Sequence, residues 1–84
     1  MLSENEIITM SALFLNNYTY IVRDKDDGLW AYDGKPTQYG DFYDHGEETN
    51  YSVSLNDNFF QQIQWGNVFD IKFELSKLEG NRYG

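Results

Sequence analysis

Tyr20-Ile21-Val22-Arg23-Asp24-Lys25-Asp26-Asp27-Gly28-Leu29-Trp30-Ala31-Tyr32 is the stretch that decides the fold of this chain. From Tyr18 to Arg23, β-branched and aromatic residues alternate, the pattern of a half-buried strand. Asp24-Lys25-Asp26-Asp27-Gly28 is a turn in which Gly28 can take a positive φ. Leu29-Trp30-Ala31-Tyr32 then pairs back as a second strand, stopped by Asp33-Gly34 and Pro36. A hairpin this apolar needs a partner layer on at least one side.

The flanks supply that layer. Upstream, Ser3 can cap a helix while Glu6, three residues on, reaches back to the Ser3 N–H, with Leu2 and Ile7 at the staple positions. Ile7, Met10, Leu13 and Phe14 recur at helical spacing, which predicts a helix from Glu4 to Leu15 ended by Asn16-Asn17. Downstream, Tyr51, Val53 and Leu55 alternate with Ser52 and Ser54, a third strand. Asn56 or Asp57 can cap a short helical turn over Phe59, Phe60 and Ile63 closed by Gly66, although Phe59, Ile63 and Trp65 also share one face of a strand. Phe69, Ile71, Phe73 and Leu75 alternate with Asp70, Lys72 and Glu74, predicting a last strand. Glu79 to Gly84 reads as a frayed tail. The expectation is α+β: one domain over 1–84, an N-terminal helix packed on an antiparallel sheet of about four strands.

Eighty-four residues without cysteine leave the core to hold the fold unaided. Six Phe, seven Tyr and two Trp are enough, since each buried aromatic removes ~150–250 Å² from water. Trp30 and Trp65 are expected in that core. No basic segment followed by an apolar one opens the chain, and no apolar run approaches membrane-spanning length. The expectation is a cytoplasmic protein acting off the membrane.

The net charge of −8 is unevenly spread. Between Asp24 and Asp57 stand nine acids (Asp24, Asp26, Asp27, Asp33, Asp41, Asp44, Glu47, Glu48 and Asp57) against Lys25 and Lys35. The remaining acids and bases nearly cancel. Direct nucleic-acid binding needs clustered Lys and Arg, and anionic membranes would repel this surface. Within the acidic stretch, Thr37 to Asn50 reads as a long loop carrying Tyr39, Phe42 and Tyr43, too many aromatics to bury under one small sheet. Asp24, Asp26, Asp27, Tyr39, Asp41, Phe42, Tyr43, Asp44, Glu47 and Glu48 together form the candidate partner-binding surface. Carboxylates steer a basic partner and aromatics hold it. The plain alternative is that the charge serves solubility.

No motif for catalysis or cofactor binding is present, and the chain is read as non-enzymatic. An EF-hand fails on spacing, because counting from Asp24 puts Gly28 at the fifth position and Lys35 at the twelfth. His45, the single histidine, lies among Asp41, Asp44, Glu47 and Glu48 and could join a carboxylate metal site. A solvated loop histidine is the simpler reading. Phosphate loops and paired-His motifs are absent.

The segment from Tyr20 to Tyr32, followed by Lys35-Pro36 and later by Ile63-Gln64-Trp65, resembles a pattern in small acidic proteins encoded by phages and prophages. Those proteins carry a strand ending in Ala-Arg-Asp, an acidic Gly turn, an aromatic strand and a Lys-Pro. Here Val22 replaces the alanine, and Thr37 to Asn50 has no counterpart. The resemblance implies an inhibitor of host machinery, of the anti-CRISPR or DNA-mimic kind. Its partner would be a basic, nucleic-acid-handling protein of the host cell. A self-associating accessory domain is the alternative.

Overall fold

The central hairpin forms as its alternation requires. In the computed structural model, which describes residues 2–83 and side chains through residue 78, β1 (Tyr20–Arg23) pairs antiparallel with β2 (Leu29–Tyr32), Ile21 opposite Ala31 and Val22 opposite Trp30. The helix before it, α1 (Glu4–Leu15), starts on a complete capping box, with Ser3 N–H donating to Glu6 Oε1 and Glu6 N–H to Ser3 Oγ. After β2 the chain makes a small separate hairpin, β3 (Thr37–Tyr39) and β4 (Phe42–Asp44). Next come β5 (Ser52–Leu55), β6 (Val68–Asp70) and α2 (Ile71–Tyr83). The main sheet is antiparallel in the order β5-β2-β1-β6. The fold is α+β, with an N-terminal helix on a four-stranded sheet.

Alternation along β1 and β2 splits the sheet into two faces. Ile21, Leu29 and Ala31 point to one, where they meet Met10 of α1, Ile71 of α2, and Phe60 and Ile63 from the connection between β5 and β6. Each fully buried side chain of this size contributes ~1.5–3 kcal/mol. Val22 and Tyr32 point to the other face, where Tyr43 of β4 packs on them with half-buried Trp30 and Trp65 alongside. Both tryptophans therefore belong to this smaller aromatic cluster and not to the main core.

Three expectations are corrected. The segment from Thr37 to Asn50 is not a loop throughout: its first half is the β3–β4 hairpin, turning through Gly40 and Asp41 with Gly40 at φ +60. That is the positive φ a two-residue hairpin turn demands. The connection from Asn56 to Asn67 is neither helix nor strand but a series of turns. Finally, the predicted last strand stops at Asp70. Asp70 Oδ1 accepts the Phe73 N–H at 3.1 Å, a helix cap, and the chain continues as α2. Ile71, Leu75 and Leu78 then reach the core at helical spacing while Phe73 stays exposed. The expected tail lies mostly beyond the described side chains, and its backbone continues α2 as far as Tyr83.

The turn series is held by Arg23. In phase with Ile21, it points to the core face and is 6% exposed. Its guanidinium donates to five carbonyls: Nε to Ile63 at 2.7 Å, Nη1 to Asp27 and Asp57, Nη2 to Phe59 and Phe60. These bonds offset the desolvation of the charge and satisfy a connection that has no ladder of its own. Phe60 sits in the left-handed region at φ 54, which costs a bulky residue ~1–3 kcal/mol. Its ring is wholly buried, its carbonyl takes the Arg23 bond, and its N–H donates to Glu6 Oε2.

Candidate functional site

The candidate site begins at the β1–β2 turn. Asp24 N–H donates to the Gly28 carbonyl at 2.8 Å, Asp27 N–H to the Asp24 carbonyl, and Gly28 N–H to Asp26 Oδ1. Positive φ falls on Asp27 (φ 73) and not on Gly28, as the sequence had suggested. Asp tolerates that region better than most residues. Space at Gly28 is tight: a Cβ there would lie 3.1 Å from Asp26 Oδ1 and 3.4 Å from Trp30 Nε1, so these side chains would have to give by a few tenths of an ångström.

Onto this turn docks the β3–β4 hairpin. Lys25 N–H donates to the Asp41 carbonyl at 3.0 Å, and Lys25 Nζ lies 3.5 Å from Asp41 Oδ1. That ion pair is exposed and contributes at most ~1 kcal/mol. The firm attachment is one layer down. Asp24 Oδ1 accepts the Tyr43 N–H at 2.8 Å, and Tyr32 Oη donates to the Tyr43 carbonyl at 3.1 Å, both buried. Residue 43 is thus clamped through both sides of its backbone, while its ring meets Trp65 edge-on at 5.5 Å.

This geometry sorts the sequence candidates. Asp24 and Tyr43 were expected on the contact surface but are each 6% exposed, and they serve instead as the hairpin's attachment. Tyr39 and Phe42 face each other across the turn on the outer face, 57% and 50% exposed. Asp26, Asp27 and Asp41 crowd the docked turn tips, and Asp44 stands at the opposite end of β4. Glu47 and Glu48 line a groove with Lys35, Pro36 and Tyr39. The docking thus joins the turn that carries Asp26 and Asp27 to the one that carries Asp41, next to exposed Phe42.

Electrostatics mark the clamp. Burial above all pushes the Asp24 carboxyl above its ordinary range; the Tyr43 N–H opposes this, and the charges of Asp26 and Asp44 reinforce it. Tyr32 is pushed up to about 12, by burial first and then by Asp24 and Asp44. At Asp33 burial is outweighed by hydrogen bonds, the first from Asn50 N–H at 2.9 Å, and the carboxyl sits low. Asp33 therefore ties the end of β2 to the start of β5.

His45 is more tightly held than a solvated loop residue. Nδ1 lies 3.0 Å from Thr49 Oγ1 and Nε2 3.1 Å from Ser52 Oγ, and the ring meets Tyr32 edge-on at 5.3 Å. Thr49 Oγ1 also accepts the Gly46 N–H and donates to the Gly46 carbonyl. The set is fully satisfied when Nδ1 carries the proton. Its geometry is that of a loop clasp, in which the two ring nitrogens tie the hydroxyls of Thr49 and Ser52 together. Among the described residues, no three His, Asp or Glu side chains are placed to hold a metal ion.

Sequence reasoning missed Arg23, Tyr32 and the Asp24 clamp. Arg23 left one trace, since it continues the apolar phase of Ile21. The described helices include none long and apolar enough to cross a membrane. Comparison with protein-family models, with curated proteins and with solved structures found no significant match to this chain.

Proposed function

We propose that this protein is a phage-derived, non-enzymatic inhibitor that binds a basic, nucleic-acid-handling protein of the host cytoplasm, in the manner of a DNA mimic. One observation carries the reading: Tyr39 and Phe42 stand exposed on either side of the Gly40-Asp41 turn, and that turn docks through Lys25 on the one that carries Asp26 and Asp27. Carboxylates so arranged meet the Lys and Arg that otherwise grip phosphate, and the aromatics add the desolvated contact that slows release. No reaction is needed.

The test is affinity capture from nuclease-treated bacterial lysate at low salt, eluted with rising salt. A nucleic-acid-binding enzyme should leave at moderate salt, and its DNA binding should be competed by this protein. Combining Asp41→Lys with Asp44→Lys should abolish capture, and unchanged retention by that variant rejects the proposal.

A second reading has its own observation. Ile8 and Val53 are exposed beside the edge strand β5 and line one apolar cleft with Leu13 and Tyr18. An uncovered edge of this kind supports self-pairing. Under this reading, sedimentation gives a concentration-dependent mass that the double charge reversal leaves unchanged.

A further inference from the structure

Among the described residues, the main sheet ends on β5, which pairs with β2 on one side only. The Tyr51 carbonyl takes the Asp33 N–H, so Tyr51, and by alternation Val53 and Leu55, turn their backbone groups toward β2. The N–H and C=O groups of Ser52 and Ser54 therefore point out along the open edge. Proteins usually guard such an edge with a charge, a proline or a bulge. Here the chain carries neither acid nor base from Thr49 to Asn56, and β5 keeps its register with β2 without a bulge. The opposite edge, β6, is shorter and ends on Asp70. The edge sequence also reads alike in both directions: Tyr51-Ser52-Val53-Ser54-Leu55 runs apolar, serine, valine, serine, apolar.

We infer that the occupant of this edge is a second copy of the chain, its β5 running antiparallel to the first about a two-fold axis at Val53. The inference deepens the self-pairing reading above and rests on it, adding the register and the residues at the axis. In that register Ser52 of each copy stands opposite Ser54 of the other, and each such pair exchanges both backbone bonds. Val53 meets Val53 of the second copy at the closer, non-hydrogen-bonded position, and Tyr51 meets Leu55. A two-fold interface uses one patch twice, so it demands a strand that complements itself, and this one does. A slip by one residue would set Val53 against serine and turn the apolar row of the copy to the opposite face. Ile8 of α1 lines one cleft with Val53, so the pairing brings apolar side chains of both copies together on the helix face. The uncharged edge also suits a second copy on electrostatic grounds, because two chains of net charge −8 repel wherever their acids face each other.

Sedimentation of the purified protein from micromolar to millimolar concentration should show monomer passing into dimer. Val53→Lys sets two ammonium groups face to face at the axis and should weaken association about tenfold or more. Phe73→Ala, which removes an exposed apolar side chain on α2, should change nothing. Since the chain has no cysteine, a single one reports the register. With oxidised glutathione, Val53→Cys should link into covalent dimers, because Cα atoms about 4.5 Å apart lie within disulfide reach. Ser54→Cys sets its two thiols on a diagonal of about 7–8 Å and should link several-fold more slowly. The two cysteine variants decide the matter if Val53→Lys fails to fold. A dimer that survives Val53→Lys, or that links as readily through Ser54→Cys as through Val53→Cys, overturns this pairing while self-association stands. Monomer at every concentration overturns both, and would leave the edge to a strand of another protein.

Discussion

The two faces of the central sheet are built from alternate residues of the same two strands, yet they close by different means. On the helix face, Ile21, Leu29 and Ala31 disappear under two helices and a turn series sealed by Phe60. On the other face, Val22 and Tyr32 are covered by Tyr43 of a two-stranded hairpin, and Trp30 and Trp65 pack alongside while staying half-buried. The first is closed by apolar area; the second is closed by two hydrogen bonds at one residue, Tyr43, whose N–H donates to Asp24 and whose carbonyl accepts from Tyr32. The difference teaches how a small chain divides its labour. Aliphatic side chains on one face supply stability, and amphipathic aromatics with acids on the other cover the sheet while still presenting contacts outward.

The largest effect should come from breaking the helix face. Ile21→Ala removes a fully buried side chain and should cost ~2–5 kcal/mol in urea unfolding. Phe42→Ala, on the outer face of the hairpin, should stay within about 0.5 kcal/mol of the parent. Comparable losses from the two would erase the distinction between the faces.

Arg23→Ala comes next. It strips donors from five carbonyls and opens the connection from Asn56 to Asn67. A loss of about 2–4 kcal/mol is expected, because some of those carbonyls can reach water and the rest cannot. Hydrogen exchange should quicken at Ile63 and at Phe60 before it does in β1 and β2. Uniform quickening would mean that Arg23 supports the whole fold and not this segment.

A smaller loss, about 1 kcal/mol, is expected from Tyr32→Phe, which deletes the buried bond to the Tyr43 carbonyl and little else. Its signature is local. Amides of Phe42 to Asp44 should exchange faster while α1 keeps the protection of the parent.

Legibility followed the same division. The capping box Ser3-x-x-Glu6 and the alternation on either side of Gly28 are short-range signals, and they gave α1, β1 and β2 their positions. The misread end of the chain shows the limit of periodicity. Ile71 and Leu75 satisfy both a period of two and a helical repeat; Asp70 as a cap and Leu78 as the next helical contact decide between them. The β3–β4 hairpin was hidden because polarity and glycine read as loop, although Tyr39-Gly40-Asp41-Phe42 places glycine where a two-residue turn needs it. At the candidate site, exposure of Tyr39 and Phe42 was legible from the surplus of aromatics. Burial of Asp24 was not, since it depends on an N–H nineteen residues away, and no local pattern marks an acid for that role.

Acid titration separates the faces by sign. On the helix face, burial pushes the Glu6 carboxyl up, but the N–H groups of Ser3 and Phe60 outweigh it and hold the carboxyl below its ordinary 4.5. A depressed carboxylate contributes stability that is present above 4.5 and is lost as pH falls through the lower folded value. Asp24 runs the other way. Burial, with Asp26 and Asp44 adding to it, raises its folded value above 3.8, so its contribution is full below 3.8 and is lost as pH climbs through that raised value. Glu6→Gln turns an amide NH₂ toward one of two N–H donors, so it should lower stability at neutral pH and flatten the acid limb below 4.5. Asp24→Asn keeps the bond to Tyr43 and removes the charge, so it should raise stability at neutral pH and flatten the opposite slope above 3.8. Each change should stay under about 1 kcal/mol, read as urea midpoints across the acidic range. Shifts of the same sign in both variants would mean that the two carboxyls answer to the net charge and not to their different surroundings.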